Sequence, residues 1–481
     1  MSGASNMRGF VRASGAINVG KPMNKAAAAG VGVVLLAAGY VGATAWSGQQ
    51  IEASYREQLD RVPVKMPLVR ILEQKYDKGL FASTSTATLG FGCPAEAGKP
   101  LPVVTITSTI RHGPIAGAAL ALAVVDSQVR IAGGDADVQQ LIAALGTDAP
   151  LTVHTVASFA GPVRSTLTSP AVKVPLGKGA ELDWRGLSGD VESSRDGLSV
   201  SYRVKSGGLT LTEPASHTTV RMGALAFKGD GRAVTPVGAL MAGQLQGTLE
   251  AIEISAGAVG AQTLMAMNGL AFSSSTAIDG ELLGGTSSIV AKGAFGDVKL
   301  DKVEMKMSMK RLHAPTYQHL MATTTQEIYR CGAADKAASL MALHEKMQGD
   351  LTALLRHAPE MSIDRFAVES GGMLGELSYT VGTEGVTDAD AGQPLPAMLM
   401  TRAYLRGAFR VPVAWLRKLS QATAAKLPGR APDPSTVDVM LDQAQAQGYV
   451  VRDGDYVKGE ASYAKGALSV NGKPFGSPAR R

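Results

Sequence analysis

Residues 303–310 read Val-Glu-Met-Lys-Met-Ser-Met-Lys, and this stretch decides the fold class. Every odd-numbered position is apolar, and every even-numbered position carries a charge or a hydroxyl group. Successive side chains of a β-strand point to opposite faces of the sheet. The stretch therefore predicts a strand with one dry face and one wet face, which is typical of an antiparallel sheet covered on one side.

Stretches with the same period of two recur on both sides of this one. They predict strands at 82–88, 101–110, 198–204, 209–212, 224–228, 247–254, 271–278, 361–368, 375–381, 403–411, 449–452, 456–463 and 467–470. Gly229-Asp230-Gly231 fits a hairpin turn between two of them. We expect an α+β fold, in which a large, mostly antiparallel and extended sheet places each strand beside its neighbour in the chain.

Two segments have the helical period of about 3.6 instead. Apolar residues recur at helical spacing over about 315–357 and again over about 412–448, where Pro412 suits the first turn of a helix. Residues 382–396 are rich in Gly, Asp, Thr and Pro, as linkers often are. The sequence thus divides into a β-rich region at 47–381 with a helical insert, a loop or linker at 382–396, and a strand–helix–strand region at 397–481.

Residues 26–46, from Ala26 to Trp46, carry no charge. As a helix they would be about 31 Å long, the thickness of a bilayer's hydrocarbon core. Leu35 and Leu36 lie in the middle of this stretch, while Tyr40 and Trp46 suit the interfacial belt. Basic residues precede it, which predicts a disordered cytoplasmic tail at 1–25, a single-pass inner-membrane anchor and a periplasmic remainder.

Two other interpretations of this stretch remain open. Ala43-Thr44-Ala45 resembles a signal-peptidase site, so the apolar segment could be a cleaved signal peptide. The segment could also be a buried helix, although it would then have to be apolar on every side.

Composition excludes some classes of function. The formal net charge is +6, but the basic residues form no run interleaved with aromatic residues, which argues against nucleic-acid binding. Cys93 and Cys331 could form a disulfide in an exported protein, or remain two separate buried thiols. Their spacing matches no zinc motif, and we expect neither a metal nor a cofactor.

Four short motifs resemble those of the YdgA family of bacterial proteins. Residues 40–52, GYVGATAWSGQQIE within its flanks, resemble that family's membrane-exit signature. The other matches contain Gly79 and Phe81, then His112-Gly113-Pro114, then Asn471-Gly472 in the closing segment. The matches fall in the family's order, although Ser47 and Gln49 depart from its pattern. The resemblance implies a periplasm-facing inner-membrane protein and supplies no catalytic residues.

The sequence supports two hypotheses from different classes. The first is a non-enzymatic, membrane-anchored scaffold or binding protein of the cell envelope that binds an apolar ligand, such as a lipid, or an envelope protein, and that could self-associate through its sheet edges. By fold-level analogy only, long periplasmic sheets of the AsmA kind carry lipid along a dry face. The alternative is a periplasmic hydrolase with His112 as its base, which requires a serine or a carboxylate within hydrogen-bond reach. His313, His319, His344 and His357 match no ligand spacing.

Overall fold

The computed structural model of the chain describes most of residues 44–60, and then 69–91, 102–133, 150–176, 179–235, 240–257, 262–328, 347–425 and 435–475, together with Gln139 and Ile142. Apart from Thr44, the predicted anchor at 26–46 lies outside the described residues, as do the tail at 1–25, Cys93, Cys331 and His344. Among the described residues, no helix is both long and apolar enough to cross a membrane.

The first part of the sheet contains strands that are mostly of seven to eleven residues. They are β1 (Val69–Lys78), β2 (Ala82–Phe91), β3 (Pro102–His112), the small hairpin β4 (Ile115–Ala116) and β5 (Ala119–Leu120), β6 (Ala123–Gly133), β7 (Leu151–Ala157), β8 (Val163–Ser169), β9 (Val172–Pro175), β10 (Glu181–Trp184), β11 (Leu187–Ser193), β12 (Ser199–Ser206), β13 (Leu209–Glu213), β14 (Thr218–Met222) and β15 (Leu225–Ala233).

The second part contains the longest strands. They are β16 (Met241–Ala256), β17 (Gln262–Asp279), β18 (Leu282–Phe295), β19 (Val298–His313), β20 (Glu360–Ser370), β21 (Met373–Thr383), β22 (Ala403–Pro412), β23 (Val451–Asp453), β24 (Tyr456–Ala464), β25 (Ala467–Val470) and β26 (Lys473–Pro474). All except the β4–β5 hairpin belong to one sheet, in which every pairing is antiparallel.

Helices are few. They are α1 (44–60, in part), α2 (Ala314–Ile328), α3 (347–355), α4 (Leu395–Arg402), α5 (Val413–Ala425) and α6 (Ser435–Ala446), with a 3-10 turn at Asp388–Asp390. The prediction of a mostly antiparallel sheet with helical inserts near 315–357 and 412–448 is confirmed. The segment predicted as a linker, 382–396, includes the 3-10 turn, and the strands on either side of it, β21 and β22, are hydrogen-bonded neighbours.

The sheet follows the chain in an up-and-down order. The pairs β8–β9, β10–β11, β12–β13 and β14–β15 each behave as one long strand with a short interruption, since β11 pairs with β8 and β12 while β10 pairs with β9 and β13. The interruptions lie side by side at 170–171, 185–186, 207–208 and 223–224. Backbone bonds such as Arg185 N–H to Gly208 O, at 3.0 Å, hold the sheet together across them. The expectation that sequence neighbours pair is confirmed.

One predicted turn is wrong. Gly229-Asp230-Gly231 lies inside β15, not between two strands. Its glycines make room for close neighbours, because a Cβ at Gly229 would lie 2.6 Å from the Tyr202 hydroxyl. Glycine inside a strand often marks such a close approach.

Candidate functional site

The strand register places one residue from each of seventeen neighbouring strands in a single line across the sheet. We call this line the apolar row: Tyr76, Ser85, Ser108, Ser127, Val153, Leu167, Gly189, Val204, Phe227, Gly247, Phe272, Ile289, Met305, Phe366, Leu377, Phe409 and Gly459. No member is charged. With strands about 4.8 Å apart, the row runs for roughly 80 Å along the sheet surface.

Aromatic rings lie over glycines on this side of the sheet, which we call the apolar face. A Cβ at Gly247 would lie 2.2 Å from the Phe272 ring, and one at Gly459 would lie 2.8 Å from the Phe409 ring. Because a neighbouring ring occupies the space above each glycine, large apolar side chains lie against the backbone. The result is a surface on which backbone polar groups are shielded by rings and aliphatic groups.

Positions that point the other way form a polar face. Lys228, Gln246, Ser273, Ser288, Lys306 and Arg365 follow one another across β15 to β20. Opposite charges neutralise each other there. Hydrogen bonds from Lys306 and Lys302, for example, lower the pKa of Glu304 to about 2. The two faces of the sheet therefore differ sharply in chemistry.

The described helices cover only parts of the apolar face. Helices α2 and α3 pack over Leu283, Leu312 and Met309. Helices α5 and α6 pack over Val411 and Val457. These buried clusters include none of Val204, Phe227, Phe272, Ile289 and Met305, which are all half-buried.

A second uncovered part of the apolar face lies on β20 to β22. Met361, Val381 and Leu405 are cross-strand neighbours, and 58%, 39% and 38% of their surfaces are exposed. Leu377 and Tyr379 beside them are exposed to a similar degree. Large apolar side chains that are exposed together on one face mark a binding surface more often than a chance feature.

An open cleft of about 620 Å³ lies on the polar face. It is bordered by three basic and three acidic side chains, namely Arg164, Arg203, Lys228, Asp190, Glu192 and Asp230. Arg164 Nε pairs with Glu192 Oε2 at 2.9 Å. The balanced charges select neither an anion nor a cation, so the cleft is a weaker candidate for a site than the apolar face.

The family-motif residues of the first two strands meet in one place. His112 follows β3, and its Nε2 lies 2.9 Å from Ser83 Oγ while its Nδ1 lies 3.0 Å from Leu80 O. The backbone N–H of His112 donates to Phe81 O at 2.9 Å. A Cβ at Gly113 would lie 1.9 Å from Ala121 O, and one at Gly79 would lie 2.2 Å from Ala82 O, so both positions need glycine.

The third motif lies at the other end of the sheet. Asn471 and Gly472 both have positive φ, +46° and +76°, and connect β25 to β26. Such a pair is typical of a tight hairpin turn. Asn471 Nδ2 donates to Gly448 O at 2.8 Å, which ties this turn to the end of α6. Asn471 and Gly472 are therefore remote from the contacts of His112.

The other histidines are separate from His112. The rings of His313 and His357 are stacked with centroids 4.0 Å apart, and His319 Nδ1 lies 2.8 Å from Asp350 Oδ2. His313 Nε2 also lies 3.1 Å from Glu281 Oε2. Within the part of the chain that is described, no three His, Cys, Asp or Glu side chains are grouped so as to hold a metal ion.

The stacked pair predicts a pH effect on the α2–α3 region. Burial and the neighbouring His313 lower the pKa of His357 from its usual 6.5. As the pH falls through 6.5 the unfolded chain takes up a proton first, so the free energy of unfolding decreases towards acid pH. His357→Gln should flatten this dependence in urea titrations between pH 7 and pH 5. An unchanged slope would show that the stack does not couple to stability.

Together these features define a class of protein, a single up-and-down antiparallel sheet with one apolar and one polar face. A family model described as "Bacterial protein of unknown function (DUF945)" matches residues 23–477. The chain therefore belongs to this bacterial family. No curated protein and no solved structure matches the chain.

Proposed function

We propose that this protein is a non-enzymatic, membrane-anchored, periplasm-facing binding protein of the bacterial cell envelope, and that the apolar face holds an apolar ligand. The observation that carries the proposal is the uncharged row from Tyr76 to Gly459, of which the central part is left uncovered by the described helix clusters. The four motifs would place it in the YdgA group within its family.

The N-terminal helix supports an anchor that is fixed to the sheet. Lys78 Nζ lies 3.2 Å from Glu52 Oε2, and the rings of Tyr55 and Tyr76 are 5.6 Å apart. Thr44, at the end of the proposed span, is fully buried. These contacts join α1 to β1, so that a span at 26–46 would lead directly into one end of the apolar face.

Magnitudes favour a two-chain lipid as the ligand. Each buried methylene contributes about 0.8 kcal/mol, whereas association costs about 4–15 kcal/mol. A ligand with few methylenes cannot offset that cost on an open face, because only one side of it is covered. Two acyl chains can offset it.

Native mass spectrometry of the detergent-extracted, full-length protein tests the proposal, with lipid extraction from the same sample. We expect a lipid bound at fixed stoichiometry and residues 1–45 still attached. A lipid-free species would transfer the weight to binding of an envelope protein. Loss of residues 1–45 would contradict the anchor.

The hydrolase alternative has one contact in its favour, the hydrogen bond between Ser83 and His112. However, each of these residues exposes only 2% of its surface. The carbonyl of Leu80 can only accept, so Nδ1 carries a hydrogen and Nε2 of the neutral ring accepts the Ser83 hydroxyl. A backbone carbonyl thus occupies the position where a catalytic triad has its carboxylate. The contact fits a structural lock better than a catalytic dyad.

We therefore expect Ser83→Ala to affect stability and no reaction. The substitution leaves a buried ring nitrogen unpaired, which costs about 1–3 kcal/mol. Urea unfolding should show this loss, while Thr84→Ala, on the exposed side of the same strand, should change stability by about 0.5 kcal/mol or less. An esterase activity that Ser83→Ala abolishes without loss of stability would instead establish the hydrolase.

A further inference from the structure

Three consecutive loops lie side by side at one edge of the sheet. They are 79–81 between β1 and β2, 113–122 between β3 and β6, and 158–162 between β7 and β8, and we call them the three-loop surface. Backbone hydrogen bonds join them, from His112 N to Phe81 O at 2.9 Å and from Leu122 N to Ala157 O at 2.8 Å. The loops therefore form one surface.

This surface is apolar and exposed. None of its residues is charged. It presents five large apolar side chains with exposed fractions of 47%, 51%, 54%, 82% and 40%, namely Leu80, Phe81, Ile115, Leu120 and Phe159. Ile115 and Leu120 are partners across the small β4–β5 hairpin, so their side chains share one side of it.

Other loops differ from it. The next loop along the same edge, 194–198, contains Arg195 and Asp196. The opposite edge exposes Leu264, Phe295 and Val298, but the turn between the last two contains Asp297. A charge-free group of exposed apolar tips is thus a property of the first three loops and not of the sheet edges in general.

Helix α1 enters the sheet at this same edge. A Cβ at Gly48 would lie 2.9 Å from the His112 ring, and His112 is the last residue of β3 before the second loop. Further along the helix, Glu52 reaches Lys78 and Tyr55 reaches Tyr76, both progressively farther from the edge. The N-terminal end of α1, and the chain before it, are therefore next to the three-loop surface.

We propose that the three-loop surface is a second membrane contact, which inserts its apolar tips into the lipid interface beside the anchor. The proposal rests on the anchor of the proposed function, because the span at 26–46 would bring the bilayer to this edge. The partner is a lipid bilayer, since the surface offers apolar side chains without charges. Two contacts would fix the sheet's orientation, so that the apolar row begins at the membrane.

The test uses full-length protein in vesicles of phosphatidylethanolamine and phosphatidylglycerol, with or without bromine on the acyl chains. Leu120→Trp places a fluorophore on the three-loop surface, and wild-type emission is subtracted. Leu264→Trp is the matched control, because Leu264 is also an exposed leucine but lies at the opposite edge. We expect blue-shifted emission and loss of signal in brominated vesicles for Leu120→Trp only.

Vesicle flotation separates the two proposals. Unquenched Leu120→Trp emission from protein that floats with the vesicles would overturn the loop contact and leave the anchor intact. Protein that does not float in either form would overturn both. Equal quenching of both tryptophans would also contradict the loop contact, since it would show no preference for this edge.

Discussion

Phe272→Glu should weaken binding of a two-chain phospholipid by about a hundredfold. Phe272 lies in the centre of the apolar row, where its ring covers Gly247. Loss of the ring removes about 1.5–3 kcal/mol of apolar contact, and a carboxylate beneath a lipid chain adds a desolvation penalty. A total of about 3 kcal/mol corresponds to roughly two orders of magnitude in the dissociation constant. Equilibrium binding of a fluorescent phospholipid measures it.

Ser273→Glu is the matched control for this experiment. Ser273 is the next residue of β17, is exposed, and lies on the polar face between Gln246 and Ser288. The same new charge there should change affinity by about twofold or less, because surface substitutions have effects of about 0.5 kcal/mol. Equal losses for the two variants, or an unaffected Phe272→Glu, would contradict binding on the apolar face.

Gly208→Ala should destabilise the fold by about 3 kcal/mol or more. Gly208 has a φ of +98°, which side chains rarely adopt, and strain of this kind costs about 1–3 kcal/mol. In addition, a Cβ at this position would lie 2.3 Å from Met222 O and 2.7 Å from Gly223 O. Both are backbone atoms, which cannot rotate away. The interruptions of β12 and β14 would have to separate.

Gly280→Ala separates strain from contact. Gly280 also has a positive φ, +60°, but nothing lies within 4 Å of its Cβ position. It should cost only about 1 kcal/mol, the price of the backbone conformation alone. Urea unfolding of the two variants gives both values. If Gly208→Ala is no worse than Gly280→Ala, the tight packing at the interruption does not stabilise the sheet.

The sequence shows which positions are strands more readily than how they pair. The alternation at 303–310 correctly predicted an apolar and a polar side of β19. It could not show that the apolar sides of seventeen strands would line up, because a shift of one residue in any pairing reverses the faces. Irregularities such as the one between Asn268 and Ala271 set that register, and they have no clear sequence signature.

Glycine misled the sequence interpretation for a physical reason. In Gly229-Asp230-Gly231 the residue types are those of a turn, but the chain uses them where Tyr202 and a neighbouring backbone come close. The three-loop surface was accessible only in part. The turn at His112-Gly113-Pro114 could be predicted from its residues, but the exposure of Leu120 and its proximity to Phe81 depend on strand pairing.

Photo-crosslinking in vesicles would test the central claim most directly. The full-length protein is incorporated with a phospholipid that carries a diazirine on an acyl chain, illuminated, and mapped by mass spectrometry. We predict adducts on the uncovered part of the apolar face, at Val204, Phe227, Phe272 and Met305. Adducts confined to the polar face, at residues such as Arg203, Lys228 and Ser273, or to residues 26–46 alone, would contradict the account.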